Sequence, residues 1–391
     1  MSVRPPLFTA RFFVMCAFTF TVFLSAFMLL PTAPFRIVSV GGTKAEAGLF
    51  LGFLTYASAL SAPVTGALAD LVGKRRMLVT CGLVLAGLAA AYGLTRTWVV
   101  PLLLAAFHGV FWSGLLSASA AYLTDLIPES RRAEGIGYWG LSTIVAMAFA
   151  PSTGLWLFRF GWGWVCAACC VLNLVMTAIA FSLPDTDSRG RLRDARLLER
   201  GLIEWRVLRL AVTLFLYSFG YGAITSFVAL HADSLGVGPR GLYFTALAAS
   251  ILVVRPISGP LGDRVGHLRV LVPSLLSIVA GLALLALSGG RLSLVVSALV
   301  FGSGFGSAYP VFVAYVMKRV EPRRRGAAFG SILAAFDTGI GTGSIATGLL
   351  VQRFGFATAF GAAAILAALS LPYFLWADAR DRSLTSASRA A

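Results

Sequence analysis

Charge is scarce in this chain. Asp, Glu, Lys and Arg together make up 12% of its 391 residues, where a soluble domain carries about 25%. Acids are the rarer sign, 16 against 32 Lys and Arg, and there are three His. This composition excludes an ordinary water-soluble globule. Catalytic signatures are missing as well. No Gly-rich loop ends in Lys-Ser or Lys-Thr, which removes the usual phosphate cradle of an ATPase, and neither HExxH nor GxSxG occurs. We therefore expect no enzyme, no cofactor and no metal. Five cysteines include Cys166, Cys169 and Cys170, but all lie in apolar runs with no His or acid beside them. That spacing reads as small buried residues on one helix rather than metal ligands or a disulfide framework. The net charge of +16 sits in short turns between apolar runs, not on one soluble face, so no nucleic-acid partner is expected.

Apolar residues dominate instead, at 58% with a mean hydropathy of +0.85. Runs of about 20 apolar residues recur along the whole length, enough to cross hydrocarbon about 30 Å thick. A single large soluble core does not produce that recurrence. In lipid the backbone must satisfy itself, which leaves helices or a closed barrel. The short alternating segments of a barrel are not seen. The pattern predicts twelve spans, over 9–31, 47–69, 77–95, 99–122, 136–158, 163–183, 207–230, 242–262, 270–288, 292–316, 327–350 and 357–376. Arg4 and Arg11 precede the first run as in a secretory signal. However, Phe12 to Leu30 exceeds the apolar core of a signal and no small-residue cleavage site follows, so we read a retained first span.

A short segment is written twice, 193 positions apart. Pro63, Gly66, Leu68, Asp70, Val72, Gly73 and Leu78 return as Pro256, Gly259, Leu261, Asp263, Val265, Gly266 and Leu271. Arg131, Arg132 and Gly137 pair with Arg324, Arg325 and Gly330 at the same offset. A fixed offset across unlike flanks marks two halves of one design. Between them, 184–206 is a polar linker that mixes five acids with basic residues such as Arg189 and Arg200. Lys and Arg also set the orientation. Arg36, Lys44, Arg96, Arg159, Arg240, Arg291 and Arg353 fall on one side, and Arg255 lies within a span; the remaining 24 share the other side with both chain ends, which are then cytoplasmic. We expect an all-α membrane protein, with an N-terminal six-helix bundle over 1–183, a cytoplasmic linker over 184–206, a C-terminal six-helix bundle over 207–376 and a cytoplasmic tail over 377–391. The two bundles are parallel, pseudo-symmetric repeats.

The repeated segment also carries a resemblance. Gly66-x3-Asp70-x2-Gly73-Lys74-Arg75-Arg76 resembles the signature loop of the major facilitator superfamily, and Gly259-x3-Asp263-Arg264-x-Gly266 falls where that family repeats it. Twelve spans and a central linker extend the likeness over the whole chain, and the resemblance implies the major facilitator fold. It also implies that Asp70, Gly73, Lys74 and Arg75 serve a cytoplasmic gate. The residues alone support that reading: Gly66 and Gly259 permit close helix approach, Gly73 and Gly266 permit a positive-φ turn, and Asp70 suits a breakable contact with a helix N-terminus or an Arg. Setting topology is the plainer role of Lys74-Arg75-Arg76. Leu71 stands where the family often has Arg, and Arg264 occupies that place in the second copy. Gly137, Ala146, Ala150-Pro151 and Gly154 are similar to the family's antiporter motif, with two glycines replaced by alanines. The resemblance therefore extends to the bacterial drug and sugar (arabinose-type) efflux branch.

Charges inside spans are costly and point to function. Asp337 is the clearest, about ten residues into the eleventh span and followed by Gly339, Gly341 and Gly343. It suits a proton acceptor or a counter-charge for a cation; a helix–helix hydrogen bond or a pair with Arg255 is the structural alternative. His108 and Trp112 share a face of the fourth span, as Tyr217 and Tyr221 do in the seventh. Many of the family's exporters carry an Arg near His108, whose imidazole titrates near neutrality; a packing role is the simpler reading. Phe27, Trp112, Tyr217, Tyr221 and Phe336 are candidate cavity liners, suited to a moderately apolar or sugar-like solute. The expectation is a monomeric secondary transporter of a small molecule in a bacterial inner membrane, exporting by proton antiport through alternating access. An uncoupled facilitator or importer, or a non-transporting sensor, are the other outcomes.

Overall fold

A computed structural model describes residues 6–128, 131–185, 205–321 and 325–390, excluding the side chains of 70, 132–133, 325–327 and 382–390. Among these residues there is no strand; the chain runs through thirteen helices. The first half holds α1 (Ala10–Leu29), α2 (Ala33–Ser39), α3 (Lys44–Val72), α4 (Lys74–Leu94), α5 (Val99–Leu126), α6 (Arg132–Phe158) and α7 (Trp162–Ser182). The second holds α8 (Trp205–Ser234), α9 (Leu242–Val265), α10 (His267–Ala286), α11 (Arg291–Met317), α12 (Arg325–Ala368) and α13 (Ser370–Ala390). Eleven helical stretches are long and apolar enough to cross a membrane, which makes this a multi-pass membrane protein.

Local chemistry sets the ends. Thr9 caps α1 by accepting from the Phe12 amide, and Thr43 and Glu46 form a reciprocal capping box at the start of α3. Pro34 sits in the first turn of a separate short helix, α2, where its missing N–H costs nothing. Gly73 ends α3 and begins α4 at φ 99° and ψ 133°; Gly266 does the same between α9 and α10 at 97° and 136°. A Cβ is strained there, so glycine recurs at the same offset.

The last apolar stretch, Ala328–Asp381, is 54 residues long. Unbroken, it would reach about 80 Å, far beyond one bilayer. Gly355 interrupts it at φ 83° and ψ 176°. The break has a counterpart at Gly161 (φ 121°, ψ 159°), between α6 and α7. Both glycines end the triplet Arg-Phe-Gly, at 159–161 and 353–355. Helix continues past 376 to Ala390, where a tail was expected. Most of the expected linker lies outside the described residues.

Within the first half α3 packs on α5, α4 on α7, and α1 on α6 and α7; within the second α8 packs on α12, α10 on α11, and α11 on α9. Close backbone approach makes the α8–α12 contact: a Cβ at Gly343 would lie 2.0 Å from the Phe219 carbonyl oxygen. The halves meet along two seams, α3 with α12 and α6 with α9. One large core spans both halves, while a second core, around Phe18, Leu78 and Tyr122, belongs to the first half alone.

Candidate functional site

The α3–α12 seam is polar and graded. At the Lys44 end, the Lys44 amide donates to Gln352 Oε1 (3.1 Å) and Ser344 Oγ donates to the Gly48 carbonyl (2.8 Å). Gly48 is required there, since a Cβ would lie 2.5 Å from the Ser344 carbonyl oxygen. Further along, the Tyr56 and Thr342 hydroxyls are 2.7 Å apart, and Ser58 Oγ donates to Asp337 Oδ2 (3.1 Å). Beyond Ser58 no further bond across this seam is seen among the described residues, and Leu60 and Val64 stand 79% and 68% exposed. The α6–α9 seam is closed at the same end, where Ser152 Oγ lies 2.8 Å from Thr245 Oγ1 and donates to the Gly241 carbonyl (3.2 Å). Toward its other end Ile136, Tyr138, Val253 and Ile257 are exposed. The halves are thus joined at one end and parted at the other, and Asp337 is the last rung of the joined part.

Around Asp337 the second half supplies an aromatic wall. Tyr309 of α11 lies 5.0 Å from the Phe336 ring, and Phe336 lies 6.1 Å from Phe305. Tyr309 is within electrostatic reach of both Asp337 and Arg255. Arg255 and Asp337 do not pair; the carboxylate takes Ser58 instead. Tyr221 stacks on Phe305 at 4.3 Å and Tyr217 meets it edge-on at 6.2 Å. Both tyrosines are buried inside the second half, behind the wall rather than on it. In the first half Trp112 and Phe27 are joined through Phe23, at 5.4 and 6.0 Å. His108 is buried near the Tyr92 ring (6.1 Å) in a small void shared with Ser25, Trp112 and Asn173, and its Nδ1 has no hydrogen-bond partner among the described residues.

The repeated loops make contacts within their own halves. Lys74 forms an ion pair with Asp125 and donates to the Ala121 carbonyl (3.1 Å), and Arg75 donates to the Phe181 carbonyl (2.7 Å). Asp263 accepts from Lys318 (3.0 Å), with His267 Nε2 at 3.7 Å. Arg264 is exposed, and the side chain of Asp70 lies outside the described residues. Among the described residues no atom of a neighbouring helix comes within 4 Å of a Cβ at Gly66, Gly259 or Gly137, so the close helix approach expected at Gly66 and Gly259 is not made in this conformation. These positions face the parted end. Of the antiporter-like set, Ala146 and Ala150 are buried, Pro151 lies inside α6, and Gly154 meets the Met28 backbone, where a Cβ would be 2.5 Å from its oxygen. Sequence reasoning missed Ser58, Tyr309, Asp125 and Lys318. A polar residue inside an apolar run was the available signal for the first two.

The whole chain also compares with known proteins. The uncharacterized MFS-type transporter YhhS of Escherichia coli (strain K12) is 25% identical over 363 residues, 90% of this chain and 89% of that protein. The crystal structure of the nucleoside transporter NupG superposes with a TM-score of 0.75 at 18% identity, over 94% of this chain and 99% of the other. A bacterial homolog of the human lysosomal transporter Spinster, solved in an inward-facing and occupied conformation, gives 0.76 at 15% identity, over 94% and 96%. The sequence profile of the Major Facilitator Superfamily matches residues 15–255 and 210–391, so nearly every helix that builds the two seams is covered, and the chain belongs to that family of transporters.

Proposed function

We propose that this protein is a proton-coupled secondary transporter that exports a small molecule across a bacterial inner membrane as a monomer. The two arms flanking Gly355 are each about 40 Å long, and counting them separately gives twelve spans in two six-helix bundles, 1–183 and 207–376. The linker 184–206 and both chain ends lie on the cytoplasmic side, where the basic residues gather. The Lys44 end of the seam is then the outer one, and the conformation is inward-facing. Substrate binds near the midplane, and rocking of one half against the other exposes it alternately. The loops at Asp70-Gly73-Lys74-Arg75 and Asp263-Arg264-Gly266 form the cytoplasmic gate when the parted ends close. Gly154, packed on the Met28 backbone, supports kinship with the family's exporters.

One observation carries the coupling: the Ser58–Asp337 hydrogen bond joins the two halves at the point where the closed seam gives way to the open cleft. Protonating that carboxylate changes a contact that holds the halves together. In proteoliposomes under an imposed pH gradient, Asp337→Asn is expected to abolish gradient-driven flux while leaving substrate counterflow intact. Equal gradient-driven flux in wild type and variant overturns the role of Asp337. The second reading, an uncoupled facilitator, is favoured by the scarcity of acids in the spans; it predicts wild-type flux indifferent to a proton uncoupler.

A further inference from the structure

We infer that the cleft takes an organic anion, its oxyanion group held by Arg255 and its flat apolar body laid against Tyr309 and Phe336. The inference rests on the reading above that the cleft is the substrate route. Arg255 lies inside α9, a helix apolar enough to span the membrane, and is half-buried. Its guanidinium makes no ion pair and no side-chain hydrogen bond among the described residues. An unpartnered cation at that depth is costly and is kept where something pairs with it during function. The nearest acid does not serve. Asp337 makes no ion pair with Arg255 and accepts from Ser58 of the other half.

The surroundings narrow the class. Tyr309 and Phe336 are half-buried and 5.0 Å apart, which leaves ring surface for a planar ligand beside the guanidinium. Phe23, Phe27 and Trp112 offer a second aromatic group from the first half. A cationic ligand meets the like charge of Arg255. A sugar leaves the guanidinium unpaired. An aromatic carboxylate satisfies both features, because the planar fork of Arg matches a carboxylate in two parallel hydrogen bonds. This reading narrows the moderately apolar or sugar-like solute expected from the candidate cavity liners to an apolar body that carries an acid.

The test measures binding, not flux, so it stands apart from proton coupling. Purified full-length protein in detergent is titrated with benzoate, 1-naphthoate and indole-3-acetate, with their amides, and with benzylammonium, and thermal unfolding is followed. At least one acid is expected to raise the unfolding temperature while its amide and the ammonium do not. Arg255→Gln is expected to weaken that acid by about thirtyfold or more, the usual loss when one partner of a buried charge pair is removed. Arg255→Lys keeps the charge and recovers part of the binding, and Tyr309→Phe keeps the platform and the acid preference. Unliganded unfolding of each variant reports on folding. Stabilisation by none of the acids, preference for benzylammonium, or an unchanged affinity in Arg255→Gln overturns the inference. Binding that behaves as expected, with no flux of that acid in proteoliposomes with or without a pH gradient, overturns the transport reading instead.

Discussion

At the scale of single residues, the rare charges were legible and their partners were not. Asp337 and Arg255 stood out because almost nothing else in the spans is charged. Their alternative reading as a mutual pair fails because no ion pair joins them and Ser58 takes the carboxylate, across 279 positions of chain. Spacing placed His108 and Trp112 on one face but could not say which neighbour that face meets. Trp112 turns to Phe23, while His108 sits against Tyr92 inside its own half. Lys74 gives a direct test at this scale. It belongs to the gate-like loop, and its ammonium is buried and paired with Asp125. Lys74 is the buried end of the pair and Asp125 the more exposed one, so Asp125→Asn alone strands the ammonium and is expected to cost about 3 kcal/mol. Lys74→Gln added to it should recover part of that loss, with a coupling of about 1–3 kcal/mol in a double-mutant cycle followed by unfolding in detergent. Strictly additive losses remove the pair from the account.

At the scale of elements, helix identity was readable from length and hydropathy, and helix ends were not. The spans were expected to stop at 69 and 262, where apolar character falls off; the helices run on to Val72 and Val265, because the glycine that follows each supplies the turn. Gly73 and Gly266 share one backbone conformation at positive φ. Substituting alanine at either is expected to cost about 1–3 kcal/mol through backbone strain. Gly66→Ala is the control: its Cβ meets nothing within 4 Å, and its backbone is helical. It should leave the unfolding temperature unchanged or raise it, since alanine favours helix by about 1 kcal/mol over glycine. Equal destabilisation at Gly66 and Gly73 contradicts the assignment. The 193-residue repeat also bends at one place. Lys74 and Asp125 correspond to His267 and Lys318, so the second loop has no acid at the partner position; Asp263, one turn earlier, supplies it. A motif comparison sees the shared Asp and Gly but not this exchange of sign.

At the scale of the molecule, two repeated halves could be read from the sequence, whereas the direction in which they part could not. Conformation is decided by which ends of the seams bury their surface, and that depends on contacts between residues far apart in the chain. Here Ser152 and Thr245 close the α6–α9 seam with hydroxyls 2.8 Å apart, and Val64 stands open at the opposite end of α3. If alternating access governs function, that hydroxyl contact must break in every cycle. Cysteines at 152 and 245, placed in a protein whose five native cysteines are replaced by serine or alanine, are then expected to form a disulfide on mild oxidation. Residues this close can meet the geometry of the bond. Cross-linked protein should lose transport in proteoliposomes and regain it on reduction. A cysteine at 64 in that locked protein should still react with a bulky maleimide from the cytoplasmic side. Full transport with the disulfide intact shows that this seam does not open, and the two-seam mechanism fails with it.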